Sequence, residues 1–360
     1  MLAESRNEPL PVGEDESTAV GRILNAVRTM VSNYPFQFDR TRNVRVLDGK
    51  EEGTYDWLTV QQLVRNENTF VQSEPRRRPD PIDQEKHRLL YHLDHSWDFQ
   101  SRGFPVGTMD LGGASTQLAF SMSAVESSER MRVDPNDIQT VSVFQNIKTS
   151  SSSESLFVHS FLHYGIFRAH DRFLENLIAK VDRTDAPDFK ILDPCMNKRS
   201  TRQVEFEDEV YSFVGTSDPD QCIVEISALF DVYDQSLDGV FIPTFPPEMR
   251  FVAFDHASRV VDRLGMEGFF RLSELLETAS TFCKLDKTHA QIINPDSDPE
   301  KLNSLCFEAL YVYSLMHFGY SIPKHQAIIA FGDYLDEFEL NWGLGAMVFE
   351  AHRLCTLGRL

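Results

Sequence analysis

Apolar residues recur at three-to-four spacing at Ile23, Leu24, Val27, Met30 and Val31, which predicts an amphipathic helix whose stripe needs another element to cover it. A different pattern begins at Val106. Apolar positions run to Met109 and resume at Leu118, Ala119 and Phe120, with a polar, glycine-containing run between them, so this stretch reads as strand, tight turn, strand. Thr140-Val141-Ser142-Val143-Phe144 is also strand-like. Leu156 to Ala179 and Phe269 to Ala279 read as helical, and Leu344, Met347, Val348 and Ala351 repeat helically near the end. Alternation of strand-like and helical runs predicts a layered α/β architecture. Residues 1–16 are polar and acidic and are expected to be disordered, while Thr149 to Ser155 reads as a serine-rich loop.

With 360 residues and 41% hydrophobic content, the chain can bury one large core or two smaller ones. A formal net charge of −20 argues against binding to nucleic acid or to anionic membranes, both of which need a positive face. The run Arg76-Arg77-Arg78 lies among prolines and acids and reads as a solvated loop. No apolar stretch approaches the roughly 20 residues that span a bilayer, and no charged-then-apolar leader opens the sequence. Membrane contact is therefore not expected of the chain as written. Its five cysteines leave free buried thiols and disulfides both open from counts alone.

The chemistry concentrates in Met109-Asp110-Leu111-Gly112-Gly113-Ala114-Ser115-Thr116-Gln117. A carboxylate at a strand end can hold a metal, and glycines let backbone N–H groups approach phosphate oxygens closely. Glycines between two apolar runs also commonly form a plain hairpin turn. Leu47-Asp48-Gly49-Lys50-Glu51-Glu52-Gly53-Thr54 reads as a second acidic, glycine-punctuated turn, running into an apolar segment through Val60. His159 and His163 stand four apart on an expected helix, the spacing of half a zinc site, but without the intervening glutamate of a His-Glu-x-x-His motif. No Walker-type lysine loop and no Gly-x-Ser-x-Gly motif is present.

Together the two glycine segments resemble the third and fourth signature blocks of the apyrases, or nucleoside triphosphate diphosphohydrolases. Further segments fall in that family's order: His159 to Gly165, Asp193-Pro194-Cys195, Gln221-Cys222, Phe251 to Phe254, Phe282-Cys283, Cys306-Phe307 and Trp342 to Gly345. The resemblance covers roughly residues 20 to 355. The family's earlier aspartate-led phosphate loop and its Thr-Ala-Gly-Met-Arg-like block have no counterpart. Gly21 to Arg28 and Tyr34-Pro35-Phe36 resemble the family's stretch immediately after that second block.

The resemblance implies an actin-like or hexokinase-like (RNase H-like) two-domain α/β fold with the first domain largely missing. On that reading residues 17–47 are a remnant of the first domain, 48–325 form the second, disulfide-bearing domain, and 326–360 return to the first. It implies hydrolysis of nucleoside tri- and diphosphates, with Ca2+ or Mg2+ at Asp110, Glu52 as general base, and Ser115 and Gln117 orienting the attacking water. Backbone amides of Gly112, Gly113 and Ala114 would meet the phosphates, with Trp342 packing nearby. It further implies disulfides Cys195–Cys222 and Cys283–Cys306, leaving Cys355 unpaired. The full-length relatives belong to the secretory-pathway lumen, the cell surface or the extracellular space, although no targeting signal is present here. The tyrosines expected after Phe254 are replaced by Asp255 and His256, which leaves Arg259 as a candidate for contact with the base. Two other readings stay open: a catalytically inactive, truncated remnant that binds nucleotide or a partner, and a sugar- or acid-kinase relative.

Overall fold

The computed structural model describes residues 18–35, 39–40, 43–70, 106–144, 151–181, 190–230, 236–246, 249–266, 268–295, 297–325, 329–335 and 338–356. The expectations for residues 1–16, Arg76–Arg78 and 149–150 lie outside these residues.

The hairpin folds as its pattern predicts. β1 (Val106–Leu111) and β2 (Ser115–Ser121) pair antiparallel, with Asp110 opposite Gln117. The antiparallel side of the sheet continues through β3 (Ile138–Phe144) and β4 (Ser151–Leu162), Gln117 lying opposite Ser160. On the other side of β1 lie β5 (Arg250–Asp255), β6 (Gly268–Phe270) and β7 (Ile329–Phe331). The resulting seven-stranded mixed sheet has the order β6–β7–β5–β1–β2–β4–β3. β1, β5 and β7 are parallel neighbours, so their C-terminal ends emerge side by side. β5 is a continuous apolar run, Phe251-Val252-Ala253-Phe254, as befits a central parallel strand buried on both faces. β7, assigned from the sequence to the returning C-terminal segment, hydrogen-bonds within this same sheet. A smaller sheet joins Lys190–Asp193, Glu209–Gly215 and Thr201–Phe206.

One face of the large sheet supplies Met109, Leu111, Leu118, Phe120, Phe157 and Phe161 to the main core, together with α3 (Ile166–Ala179) and the helix Pro299–Ser314. The other face packs beneath a helix, α2 (Gly49–Phe70). Ala119, Leu156 and Val158 meet Tyr55, Trp57 and Leu58, while Val252, Phe254 and Ala330 meet Val60 and Leu63. The C-terminal helix (Trp342–Thr356) crosses α2 on its far side. A Cβ on Gly345 would fall 1.8 Å from the Tyr55 carbonyl oxygen, so the two backbones touch there.

α2 corrects the reading of residues 47–54 as a turn. The Asp48 side chain accepts from the Lys50 amide at 2.9 Å and the Glu51 side chain accepts from the Asp48 amide at 3.3 Å, a capping box that starts a helix. Gly53 lies within that helix.

The helical reading of 156–179 is also corrected: residues up to Leu162 form β4, His163 takes a left-handed φ of 71°, and only Ile166 onward is helical. His159 and His163 therefore share no helix face, and the half-zinc geometry disappears. Ser151 to Ser155 belong to β4, paired with Thr140 to Phe144. Phe269 and Phe270 end a short strand, and the helix runs from Leu272 to Cys283.

Both implied disulfides are formed, Cys195–Cys222 and Cys283–Cys306, and Cys355 is free and exposed. On α1 (Ala19–Val31), Ile23, Val27 and Met30 of the predicted stripe are exposed. Among the described residues no helix is long and apolar enough to cross a membrane.

Candidate functional site

The alternation that sends Leu118 and Phe120 into the main core turns Ser115 and Gln117 to the α2 face. The Gln117 amide nitrogen, on a side chain only 2% exposed, lies 3.0 Å from Glu52 Oε2, 3.0 Å from Ser115 Oγ and 3.1 Å from Ser160 Oγ. Three oxygens from three elements thus surround one nitrogen, and the proposed base and both water-orienting residues are brought together. Ser160 is a member the sequence reading missed; the strand register that places it opposite Gln117 is tertiary information.

Gly53 makes this meeting possible. A Cβ there would fall 3.1 Å from Val158 Cγ1 and 3.2 Å from Gln117 Cβ, so the first turns of α2 lie against β2 and β4. Lys50 fixes the same end of α2 from outside, donating to Asp137 Oδ1 at 2.7 Å and to the Asn136 carbonyl at 2.9 Å. His159 meets the same Asp137 oxygen at 2.7 Å, so it is a structural neighbour of the helix start.

The 112–114 turn is clamped by the start of α3. The Gly112 carbonyl accepts from the Ile166 amide, that of Gly113 from Phe167, and that of Ala114 from His163 and Gly165, at 2.9–3.1 Å. In planar trans peptides the N–H groups of Gly113, Ala114 and Ser115 then point the opposite way, away from α3. From the main-core side Thr116 Oγ1 contacts the Asp110 carbonyl at 2.6 Å and the hydroxyl of buried Tyr320 at 2.7 Å, locking the hairpin. Trp342 opens the C-terminal helix and is 40% exposed; Asn341, accepting from the Gly343 amide at 2.9 Å, caps that helix. No hydrogen bond or ring contact among the described residues joins Trp342 to the turn.

Asp110 ends β1 in a strongly acidic setting. Asp255 ends the adjacent strand and Asp333 follows β7, so carboxylates sit at the C-terminal ends of three parallel neighbours. Asp56, one turn beyond Glu52 on α2, completes the group and is 1% exposed. Neither Asp56 oxygen nor Asp110 Oδ1 has a hydrogen-bond donor. Burial first, then the charges of Asp110 and Glu52, pushes the Asp56 carboxyl well above the ordinary range. Burial, then Glu52 and Asp255, does the same to Asp110. Two such carboxyls bond each other only when one carries a proton. Asp333 is raised by burial, against the pull of Arg259.

Arg259 Nη2 pairs with Asp255 Oδ1 at 2.7 Å and its Nε lies 3.6 Å from Asp333 Oδ2, so the guanidinium expected to meet a base is engaged by carboxylates. Asp255 adopts φ 57°, a left-handed conformation that a non-glycine residue pays for in strain, and its amide donates to Asp333 Oδ1 at 2.8 Å. The signal for Asp56 was local: a carboxylate four residues after Glu52, inside an otherwise apolar helical run.

Comparisons with known proteins identify the chain's family. The model of the GDA1/CD39 (nucleoside phosphatase) family matches residues 12–357. Because that match begins near the start of the chain, it lends no support to the expectation that the first domain is largely missing. Human ectonucleoside triphosphate diphosphohydrolase 3 is 27% identical over 356 residues, covering 92% of this chain and 60% of the relative. The Golgi apyrase of Saccharomyces cerevisiae is 24% identical, covering 88% of this chain and 51% of the relative. The chain thus spans half to two thirds of the length of these curated relatives. A nucleoside triphosphate hydrolase from Neospora caninum superposes with a TM-score of 0.57 at 15% identity, covering 94% of this chain and 70% of its own, and shares the fold. By the extent of the family match, the chain belongs to the GDA1/CD39 (nucleoside phosphatase) family.

Proposed function

We propose that this protein hydrolyses nucleoside tri- and diphosphates to the monophosphate and inorganic phosphate by direct attack of water, within an actin-like α/β frame. The observation that carries the reading is the Gln117 amide held at 3.0 Å from both Glu52 Oε2 and Ser115 Oγ, beside Asp110. Glu52 takes the proton of a water that Ser115 and Gln117 orient, and the N–H groups of Gly113, Ala114 and Ser115 receive phosphate oxygens. Phosphoryl transfer asks mainly for such positioning and for charge stabilisation. The donor-less Asp110 Oδ1 suits a hard, oxygen-binding cation, and Asp110 would hold Ca2+ or Mg2+. When bound, that ion would neutralise phosphate charge.

The two disulfides favour an oxidising compartment, the secretory lumen or the cell exterior. Phosphate release from ATP, ADP, GDP and UDP with Ca2+ or Mg2+ tests the reading. Glu52→Gln is expected to lower turnover by about 10²- to 10⁴-fold, the usual contribution of a positioned base. Folded wild-type protein no faster than Glu52→Gln and Ser115→Ala would make the chain a non-catalytic family member.

A further inference from the structure

We infer that Asp56 is a direct ligand of the divalent cation, sharing it with Asp110. The inference deepens the phosphohydrolase reading, on which it rests for the ion's role but not for its binding. Asp56 is buried to 1% exposure between α2 and the sheet, and both of its oxygens lack a donor. Asp110 Oδ1, near the end of β1, is also donor-less, and the Asp110 carboxyl lies within side-chain hydrogen-bonding reach of Asp56. A buried carboxylate ordinarily recruits an Arg, a Lys or backbone N–H groups.

The cations in this region are engaged elsewhere. Arg259 holds Asp255 and Asp333, and Lys50 holds Asp137 and the Asn136 carbonyl. The charges felt by Asp56 come from Asp110, Glu52 and Asp255, all acids. What the fold leaves at this point is negative charge on oxygen donors with no positive partner, which a hard cation satisfies.

The donor set narrows the identity of the ion. His and Cys ligands are absent from the pair, which disfavours zinc. Among the described residues no group of three His, Cys, Asp or Glu side chains forms a ligand cage. Two carboxylates with waters completing the shell is the mode of Mg2+, and of Ca2+ in an open site. The spacing also serves the chemistry: Glu52 and Asp56 stand four residues apart on one face of α2, so base and ion are presented by the same helix. Glu52 is held by the Gln117 amide at 3.0 Å, which keeps it out of the pair.

Calorimetric titration of the chelator-stripped full chain with Ca2+ and with Mg2+ tests this, with Asp56→Asn and Glu52→Gln alongside. One ion should bind per chain, and Asp56→Asn should weaken it by about 10- to 100-fold or more, the loss typical of residues that tune a metal site. Thermal melts keep the test independent of folding failure. In chelator, Asp56→Asn should melt above wild type, because a repelling buried charge is gone, and a given Ca2+ concentration should raise the wild-type midpoint more than that of the variant. Unchanged affinity in a folded Asp56→Asn, or no binding by wild type, overturns the inference and leaves a shared proton as the neutraliser. Glu52→Gln should bind the ion normally. Ion binding lost in Asp56→Asn without any nucleotide hydrolysis by wild type would overturn the phosphohydrolase reading alone; hydrolysis with unaltered ion binding in Asp56→Asn would overturn this inference alone.

Discussion

Replacing Gly53 by alanine separates a glycine needed for close packing from one that merely marks a turn. On helix propensity alone Gly→Ala within α2 should stabilise by about 0.5–1 kcal/mol. The new methyl, however, would lie 3.1 Å from Val158 Cγ1 and 3.2 Å from Gln117 Cβ. Relaxing those contacts to ordinary carbon–carbon separation requires a shift of about 0.5 Å. Overpacking of this kind costs about 1–3 kcal/mol, so the net expectation is a loss of roughly 0.5–2 kcal/mol. Function should suffer more. A half-ångström displacement carries the 3.0 Å Gln117–Glu52 hydrogen bond to the edge of bonding distance. Since about 1 Å of misplacement can cost about 10²-fold, kcat should fall roughly 10-fold. Urea unfolding and phosphate release on the same preparation measure both quantities. A Gly53→Ala protein that is about 1 kcal/mol more stable than wild type and fully active would refute the reasoning, because only the propensity effect would then remain.

Gly345→Ala should be worse for stability, since its Cβ would fall 1.8 Å from the Tyr55 carbonyl and the C-terminal helix must leave α2; the urea midpoint should drop further than for Gly53→Ala. Ser160→Ala removes one of three oxygens around the Gln117 amide and should slow turnover less than Ser115→Ala, a ranking that steady-state kinetics reads directly. Reducing the disulfides should lower stability by about 3 kcal/mol for each loop of 27 and 23 residues, visible as a lowered urea midpoint under reductant.

Acid stability turns on His170 and Asp193. Half-buried His170 accepts from Arg202 Nη1 at 2.7 Å, so its ring is neutral, and desolvation, then Arg202, lowers its pKa from 6.5 to about 3. Burial raises Asp193 from 3.8 to about 6. The depressed histidine contributes stability that is complete above pH 6.5 and lost as pH falls towards 3; the raised carboxyl contributes stability that is complete below 3.8 and lost as pH rises through 6. Between about pH 6 and 4 the two slopes oppose each other at about 1.4 kcal/mol per unit each, and nearly cancel. His170→Gln, neutral at every pH, should therefore gain roughly 2–3 kcal/mol relative to wild type on acidification across that window, and parallel curves from urea melts would refute it.

Much of the site could be read from the sequence because its residues are close in the chain. Asp110 to Gln117 fold locally into the hairpin that the two apolar runs predict. The errors arose where two periodicities share one composition. Leu156, Phe157, Val158 and Phe161 are buried on both faces of a strand flanked by β2 and β3, so their pattern cannot distinguish a strand from a buried helix. The break lies at His163 and Gly165, where a Cβ on Gly165 would meet the Ala114 backbone at 2.4 Å, a constraint set by a distant hairpin. The serines from Ser151 were drawn into β4 by pairing with β3, which overrides their weak strand preference. The start of α2 is legible in the sequence, because Asp48 and Glu51 carry the spacing of a capping box, a stronger signal than the glycines around them.

That correction changes the chemistry as well as the fold. A base on a turn would be positioned by the turn alone. A base in the first turn of a capped helix is positioned by everything that holds the helix: the Lys50–Asp137 pair, the Gly53 contact and the crossing at Gly345. The same helix then carries a second carboxylate one turn on, with the opposite fate. Glu52 accepts from the Gln117 amide; Asp56 has no donor, and its charge must be met by a proton or a cation. On the proposed reading, two acids on one helix face take different roles, base and ion-binding group, according to the presence or absence of a single amide, and exchanging Gln117 for a residue without that amide should blur the distinction. Gln117→Leu is expected to lose turnover as severely as Glu52→Gln while retaining cation affinity; a Gln117→Leu protein with near-normal kcat would show that the amide positions neither acid.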